Sequence, residues 1–196
     1  MSYVHNTLEL KLTLSADSMS SIKLWVDASY GVYQNTKSDT CCSLSLGSGV
    51  LNMKSTKQKL NLKSSTEAEL ITSSEVLPQI LWTKYFLEDQ GVEVRESVLY
   101  QDSTSTIQLE RNGKASSRQR TKHINIEYFF IKDRVESGEI TIIYCPTEDM
   151  IADFFTKPLQ GIKFIRFRES IMGFRKQWNK SSESRDKLGS VLVDPY

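Results

Sequence analysis

Acidic side chains occur at four places in the sequence where a predicted secondary-structure element begins or ends. Asp27 follows the run IKLWV, Asp102 follows SVLYQ, and Asp153 lies within TEDMIADFFTK. The fourth place is the stretch KSSTEAEL at residues 63–70, where two glutamates follow a run of hydroxyl residues. Carboxylate oxygens are hard ligands that select Mg²⁺ or Mn²⁺. Four carboxylates that converged would repel one another unless cations neutralised them.

The two glutamates of KSSTEAEL allow two interpretations. Ser64 with Glu67, or Thr66 with Glu69, has the spacing of a capping box, in which side chains satisfy the first N–H groups of a helix. One glutamate could instead bind metal. Two residues correspond to about 200° of rotation around a helix, so both glutamates cannot face one metal site. This stretch alone leaves both interpretations open.

The chemistry of such a site depends on whether the acids meet. Sites in open α/β sheets form at the carboxyl ends of strands, so Asp27 and Asp102 would lie side by side on neighbouring parallel strands. A glutamate in the first turn of a following helix, and Asp153 in a later helix, would reach the same edge. Two metal ions about 4 Å apart would clamp an in-line phosphoryl transfer. The alternative for each acid is a helix cap or a solvated surface charge.

The predicted strands would form the sheet that positions these acids. IKLWV is a strand that ends at Asp27, and SLSLGSGVLNM predicts a strand, a turn and another strand. The run KQKLNLKS alternates weakly and could extend the sheet. SVLYQ and EITIIYC are further strands, separated by helical segments. Three strands joined by turns predict an antiparallel part, and the later strands predict a parallel part, which makes a mixed α/β sheet flanked by helices.

The predicted helices begin after the hairpins. The apolar period from Thr66 indicates a helix that Pro78 kinks or divides into two, with Gly91 as its end signal. STSTIQLERNG and INIEYFFIKDRVESG are helices, with the basic loop KASSRQRTKH between them. TEDMIADFFTK is a helix with Thr147 as its cap. GIKFIRFRESIMGFRKQW predicts a basic amphipathic helix on the surface.

The composition limits the class of protein to which the chain can belong. With 196 residues, 39% of them hydrophobic and 25% charged, the chain is predicted to be one soluble domain of ordinary size. No apolar run approaches the roughly 18–20 residues of a membrane span, and we expect no membrane partner. We see no signal peptide. The three cysteines, Cys41, Cys42 and Cys145, match no zinc pattern and suit a reducing compartment. A net charge of +1 excludes binding to nucleic acid by charge alone.

Five motifs together resemble a known family. LWVDAS, STKQKLNLKSSTEAEL, VLYQDSTSTI, RTKHINIEYFFIKDRV and CPTEDMIADFFTKPLQG follow one another as in the ribonuclease H domain at the end of the polyprotein of copia-type LTR retrotransposons. The resemblance covers roughly residues 20–175. It implies a ribonuclease H-like fold with a five-stranded mixed sheet. It also implies a remnant of the connection to reverse transcriptase (1–20), the ribonuclease H-like domain (21–160), a basic helix (161–178) and a flexible tail (179–196).

The resemblance also implies an activity and a set of site residues. The family cleaves the RNA strand of RNA–DNA hybrids with a D-E-D-D set and two Mg²⁺ ions, for which Mn²⁺ can substitute. Asp27 in VDAS, Asp102 in YQDS and Asp153 in IADFFTK are similar to its aspartates. Glu69, in an A-E-L run, is similar to its glutamate, which leaves Glu67 to start the helix. The His-containing loop of many cellular ribonucleases H is absent from CPTEDMIAD.

Further expectations concern partners and location. The expected partners are an RNA–DNA hybrid and the reverse transcriptase portion of the polyprotein, in a cytoplasmic virus-like particle and in the nucleus. Candidate contacts to nucleic acid combine hydroxyls with basic side chains; they are Lys54, Lys57, Lys59, Lys63, Ser65, Thr66, Ser103, Arg120, Lys122 and His123.

Three other functions are compatible with parts of the pattern. An integrase core uses a D-D-E triad with the glutamate last, whereas here the glutamate comes second and an aspartate last. Retroelements can also keep a ribonuclease H-like module as a non-catalytic scaffold after its acids decay, but here all four acids are present. An inert product of a degenerate element is the third alternative, and the polar end SSESRDKLGSVLVDPY keeps it open.

Overall fold

The computed structural model describes residues 2–17, 20–112 and 122–174. The strands, in chain order, are β1 (Ser15–Ala16), β2 (Ser21–Ser29), β3 (Asp39–Ser45), β4 (Gly47–Ser48), β5 (Asn52–Lys57), β6 (Glu96–Gln101) and β7 (Thr141–Tyr144). The helices are α1 (Ser2–His5), α2 (Ser65–Asp89), α3 (Thr104–Asn112), α4 (Lys122–Glu136), α5 (Asp153–Thr156) and α6 (Gly161–Ile171).

Five strands form the central mixed sheet in the order β5-β3-β2-β6-β7. β2 pairs antiparallel with β3, and β3 pairs antiparallel with β5, whereas β6 lies parallel to both β2 and β7. The predicted antiparallel and parallel parts are therefore confirmed. In the parallel register Trp25 is opposite Tyr100. Asp27 and Asp102 each follow within two residues, so the two acids come to the same edge of the sheet.

Each face of the sheet has its own apolar core. On one face Leu24 and Leu99 pack with Leu77 and Ile80 of α2 and with Ile142 of β7. On the other face the core includes Val98, Met150 and Ile151, together with a stacked pair, Trp25 and Tyr100, whose ring centroids lie 4.9 Å apart. This division follows from the strand geometry, in which successive side chains point to opposite faces.

The break predicted at Pro78 does not occur. α2 is one helix of 25 residues with Pro78 inside it. Pro78 is exposed, while Val76, Leu77, Ile80 and Leu81 on either side of it are buried. Tertiary packing of these apolar side chains therefore keeps the helix continuous through Pro78, although proline removes one backbone hydrogen bond of the helix.

Three other predicted boundaries were wrong. Asp27 does not end its strand, because pairing with β3 continues as far as Ser29 opposite Asp39. KQKLNLKS adds no strand; Gln58 turns its side chain inward, where it is 1% exposed. The helix predicted for TEDMIADFFTK is only the four residues of α5. Thr147 caps nothing there, and its hydroxyl instead donates a hydrogen bond to Asp102 at 3.4 Å.

The segment that precedes the sheet contacts β4 and the end of α6. β1 pairs antiparallel with β4, and the Thr13 amide donates to the carbonyl of Met172, just after α6, at 2.9 Å. Gly49 and Gly173 have φ of +73° and +80°, and a Cβ at either would lie within 2.4 Å of the Thr13 carbonyl oxygen. Both positions therefore require glycine.

The predicted domain boundaries stay predictions. α6 covers the first part of the basic helix predicted over 161–178, and Phe167, Ser170 and Ile171 are buried rather than surface-lying. The end of that predicted helix, from residue 175, and the tail 179–196 lie outside the described residues. Among the described helices, none combines the length and the apolar character that crossing a bilayer requires.

Candidate metal centre

Asp27 lies in the central strand of the sheet, where neighbours on both sides bury it. Its side chain is 3% exposed, and its Oδ2 accepts a hydrogen bond from the hydroxyl of Thr156 at the end of α5. Because β2 continues past Asp27, the backbone on both sides of the acid is fixed by sheet hydrogen bonds. The carboxylate is therefore held by the most rigid part of the fold.

The two glutamates of KSSTEAEL have different roles. Ser64 caps α2 by accepting a hydrogen bond from the Glu67 amide at 3.2 Å, and Glu67 accepts one from the Lys63 amide at 2.8 Å. Glu69 is buried and faces the sheet, where its Oε1 accepts from the Ala28 amide at 3.3 Å. The capping box is thus the Ser64–Glu67 pair, and the helix phase separates Glu67 from the acid cluster.

A buried amide holds the first turns of α2 against the sheet. Nε2 of Gln58 lies 3.1 Å from the Thr40 hydroxyl of β3, 3.1 Å from the Ala68 carbonyl and 3.0 Å from the Thr72 hydroxyl. Ala68 immediately precedes Glu69, so this link fixes the height of Glu69 above the sheet. Nothing in the sequence around Gln58 indicates this role, because its partners come from two distant segments.

Asp27, Glu69 and Asp102 form one cluster. Each offers a carboxylate oxygen, and the three oxygens all lie within 4.8 Å of one another. Oε2 of Glu69 is buried and has no hydrogen-bond partner in the described part of the chain. A buried, unpartnered carboxylate oxygen among other carboxylates is costly unless a cation binds it. The donor set is all oxygen, so these residues fit a hard divalent cation.

Asp153 lies beside this cluster but is paired differently. It is fully buried at the start of α5, where Lys157 Nζ lies 2.6 Å from one carboxylate oxygen and Lys163 Nζ lies 3.4 Å from the other. Lys157 also lies 3.7 Å from Oδ1 of Asp27. The structure therefore places Asp153 next to Asp27 with an ammonium group between them.

The two lysines, and Thr156, were missed from the sequence. A signal for Lys157 was available, because Asp153 and Lys157 have the i, i+4 spacing of a helical ion pair. No comparable signal existed for Lys163, which reaches Asp153 from α6. Thr156 sits three residues after Asp153 and gave no indication that its hydroxyl would bind Asp27.

Burial and mutual repulsion change the acidity of the cluster. Burial, together with the charges of Asp27 and Asp102, raises the pKa of Glu69 to about 9. Burial is also the main reason why the pKa of Asp27 rises to about 6, against the opposing effects of Thr156 and Lys157. The pKa of Asp102 is raised too, first by burial and then by the charge of Asp153. These shifts indicate a site with more negative charge than the chain itself neutralises.

The predicted contacts to nucleic acid lie in three described places: the starts of α2 and α3, the strand β5, and the segment between β5 and α2. Hydroxyls at the starts of α2 and α3 are adjacent, since Thr66 Oγ1 lies 3.3 Å and Ser103 Oγ 3.1 Å from Ser105 Oγ. Ser65 is exposed beside them. Lys57 and Lys54 belong to the edge strand β5, and Lys57 Nζ lies 4.3 Å above the ring of Tyr33. Lys59 and Lys63 are exposed in the segment between β5 and α2.

Three predicted residues cannot be placed. Arg120 lies outside the described residues, and only the backbone of Lys122 and His123 is described, at the start of α4. Their predicted contact to nucleic acid therefore stays a prediction. The three cysteines are buried free thiols.

The chain is similar to transposon Pol polyproteins. It is 32% identical over 151 residues to the retrovirus-related Pol polyprotein from transposon TNT 1-94 of Nicotiana tabacum, a match that covers 76% of this chain and 11% of that protein. It is 35% identical over 127 residues to the one from transposon RE1 of Arabidopsis thaliana, with 64% and 8% covered. The chain thus spans about a tenth of the length of these relatives. No protein-family model matches the chain.

The fold is similar to that of a solved ribonuclease H. LC11-RNase H1, isolated from compost by a metagenomic approach, superposes with a TM-score of 0.51 at 16% sequence identity, over 69% of this chain and 91% of that one. At this identity the likeness concerns the fold alone. The chain is therefore a homologue of the Pol polyproteins of copia-type transposons, and it has the ribonuclease H fold.

Proposed function

We propose that this chain is a metal-dependent endonuclease that cleaves the RNA strand of RNA–DNA hybrids during reverse transcription of a transposon. The observation that carries the proposal is the cluster of Asp27, Glu69 and Asp102, with carboxylate oxygens within 4.8 Å of one another and Asp153 adjacent. Homology to Pol polyproteins supports the role in reverse transcription. The ribonuclease H fold supports the class of reaction.

The four acids have separate tasks in this proposal. Asp27, Glu69 and Asp102 would hold one Mg²⁺ ion, and Asp27 with Asp153 would hold a second, for which Mn²⁺ can substitute. Bound Mg²⁺ would supply an activated water and would stabilise charge on the leaving 3′ oxygen. Thr156 and the Ala28 amide orient Asp27 and Glu69 through their hydrogen bonds. Burial keeps competing water away from these carboxylates.

The substrate would lie along the rim of the cluster. The hydroxyls of Ser65, Thr66 and Ser103 would contact the backbone of the hybrid next to Glu69 and Asp102. Lys54, Lys57, Lys59 and Lys63 would bind phosphates further along the duplex. Selectivity for a hybrid needs contacts to the 2′-OH of one strand and to the DNA-like path of the other. The net charge near zero is compatible with this, because metal and shape provide most of the recognition.

The test uses the purified chain, a labelled RNA–DNA hybrid and Mg²⁺. Cleavage of the RNA strand alone is expected, with no cleavage of double-stranded RNA or DNA. EDTA and Asp102→Asn should each abolish it. Asp133→Asn is the matched control, because Asp133 is an exposed acid on α4 whose side chain is 70% accessible, and it should cleave as the wild type does. Equal activity of Asp102→Asn and the wild type would refute the assignment.

The same experiment separates the alternatives. A folded chain that binds Mn²⁺ and cleaves nothing would favour a scaffold role, and a chain that binds no metal would favour an inert remnant. Adding the reverse transcriptase portion tests whether that partner is needed to position the hybrid. We also place the activity in a cytoplasmic virus-like particle and in the nucleus, which fractionation of cells that express the whole polyprotein would check.

A further inference from the structure

We propose that Gln101 is a positioning residue that holds Asp102 and Glu69 in the orientation required to bind a divalent cation; this inference rests on the proposed function. Gln101 is the last residue of β6, directly before Asp102, and it is fully buried. An apolar side chain of similar size would fill this buried position equally well, so the presence of an amide there needs a reason.

The amide of Gln101 connects the strand end to helix α2. Its Oε1 accepts a hydrogen bond from the Asp102 amide at 3.0 Å, which fixes the backbone that carries the Asp102 carboxylate. Its Nε2 donates to the Ser73 hydroxyl at 3.3 Å. Ser73 lies four residues after Glu69 and is therefore on the same face of α2, one turn further on.

The amide of Gln101 faces the part of α2 that carries Glu69. An amide group presents an acceptor on one side and two donors on the other. The acceptor is used by Asp102, so the donors face α2, where Nε2 bonds Ser73 one turn after Glu69. Gln101 therefore ties the end of β6, and with it Asp102, to the helix that positions Glu69.

The test compares Gln101→Met with Val98→Ala. Met has nearly the length of Gln and removes both hydrogen bonds, whereas Val98→Ala opens a cavity in the same strand at a residue that is 1% exposed. Mn²⁺ affinity is measured by titration calorimetry on the full chain, and kcat and KM are measured with the labelled hybrid. Loss of a group that orients a metal ligand typically costs about 10–100-fold in metal affinity or activity.

The expected result is a loss of that size in Mn²⁺ affinity and in kcat for Gln101→Met, with KM for the hybrid unchanged and part of the activity regained at high Mn²⁺. Val98→Ala should lose stability but bind Mn²⁺ as the wild type does. Wild-type affinity in Gln101→Met would overturn the inference, as would an equal loss in Val98→Ala, because both would mean that general packing sets the affinity.

A second variant keeps the test decisive if Gln101→Met does not fold. Ser73→Ala leaves Gln101 in place and removes only its partner on α2, so a loss of about threefold in Mn²⁺ affinity is expected, and unchanged affinity would contradict the inference. If the wild type binds Mn²⁺ but cleaves no hybrid, the proposed function fails while the Mn²⁺ affinities still decide the role of Gln101. If the wild type binds no Mn²⁺, both fail.

Discussion

The two sides of the acid cluster differ in how much positive charge lies near their buried carboxylates. Asp27, Glu69 and Asp102 crowd their oxygens together with little positive charge among them, and their pKa values rise. Asp153 is fully buried, yet it is paired with the ammonium groups of Lys157 and Lys163. The carboxylates of Asp27, Glu69 and Asp102 therefore need a metal ion to balance their charge, whereas the charge of Asp153 is already balanced by lysines. The first side should bind the tighter ion.

The largest expected effect comes from removing one acid of the unneutralised side. Glu69→Gln should abolish cleavage of the hybrid and the tighter Mn²⁺ binding step, because it removes the charge of one of the three ligands of the first ion. Glu67→Gln is the matched control in the same helical turn. It should cleave normally and lose only about 1 kcal/mol or less of stability from the weakened capping box. Calorimetric Mn²⁺ titration and thermal unfolding measure both.

The reverse outcome would contradict the roles assigned to Glu69 and Glu67. If Glu67→Gln were the inactive variant and Glu69→Gln retained activity, the helix phase derived from the contacts of Ser64 and Ala28 would not describe the active molecule. If both retained the tighter Mn²⁺ step, the ion would bind elsewhere.

The next effect concerns pH and stability without metal. Carboxyl groups with raised pKa values make the folded chain bind more protons than the unfolded chain, so stability falls as pH rises. The window runs from about pH 4, the usual range of these groups, to about 9, the pKa of Glu69. The loss should be on the order of a few kcal/mol, since one pKa unit corresponds to about 1.4 kcal/mol. Urea unfolding at several pH values measures it.

Metal and mutation provide the control for this pH dependence. Saturating Mg²⁺ should flatten the decline, because it binds the deprotonated carboxylates of the folded chain. Glu69→Gln should remove the part of the decline nearest pH 9. A metal-free chain whose stability rose between pH 5 and 9 would show that the three acids are not mutually unfavourable.

The smallest expected effect tests the neutralised side. Lys157→Gln removes the ammonium group that lies near both Asp27 and Asp153, so a divalent ion no longer competes with it. Mn²⁺ should bind about three- to tenfold more tightly, which is the size expected for a partly exposed ion pair worth about 1 kcal/mol. Lys163→Gln is the control, because among the four acids Lys163 contacts only Asp153, and its effect should be smaller. Equal effects of the two substitutions would show that Lys157 does not compete with the ion more strongly than Lys163 does.

The candidate acids could be listed from the sequence because they lie at or near the ends of elements that the sequence marks clearly. β-branched and aromatic runs indicated β2 and β6, and the change of period at Thr66 indicated α2, whose first turn carries Glu69. Helix geometry indicated that Glu67 and Glu69 cannot both face one metal site, and the resemblance of the A-E-L run to the ribonuclease H motif selected Glu69. The strand and helix signals depend only on residues that are close together in the sequence, so a single sequence is enough to detect them.

The errors have a common physical cause. Pro78 was expected to interrupt α2, and Thr147 was expected to cap a longer helix, but tertiary contacts overruled both local preferences. Gln58, Gln101, Lys163 and Thr156 went unnoticed because each contacts a residue of another secondary-structure element; Thr156, for example, meets Asp27 across 129 positions. The structure is therefore required to identify the side chains that orient metal ligands.

The contact of Thr13 with Gly49 and Gly173 has a mechanical consequence. One carbonyl group touches the turn after β4 and the end of α6 at distances that leave no room for a methyl group. A pull applied to residues before Thr13 would therefore be transmitted at once to two remote parts of the domain. In a longer chain, tension from a preceding domain would reach α6, which carries Lys163, through this contact.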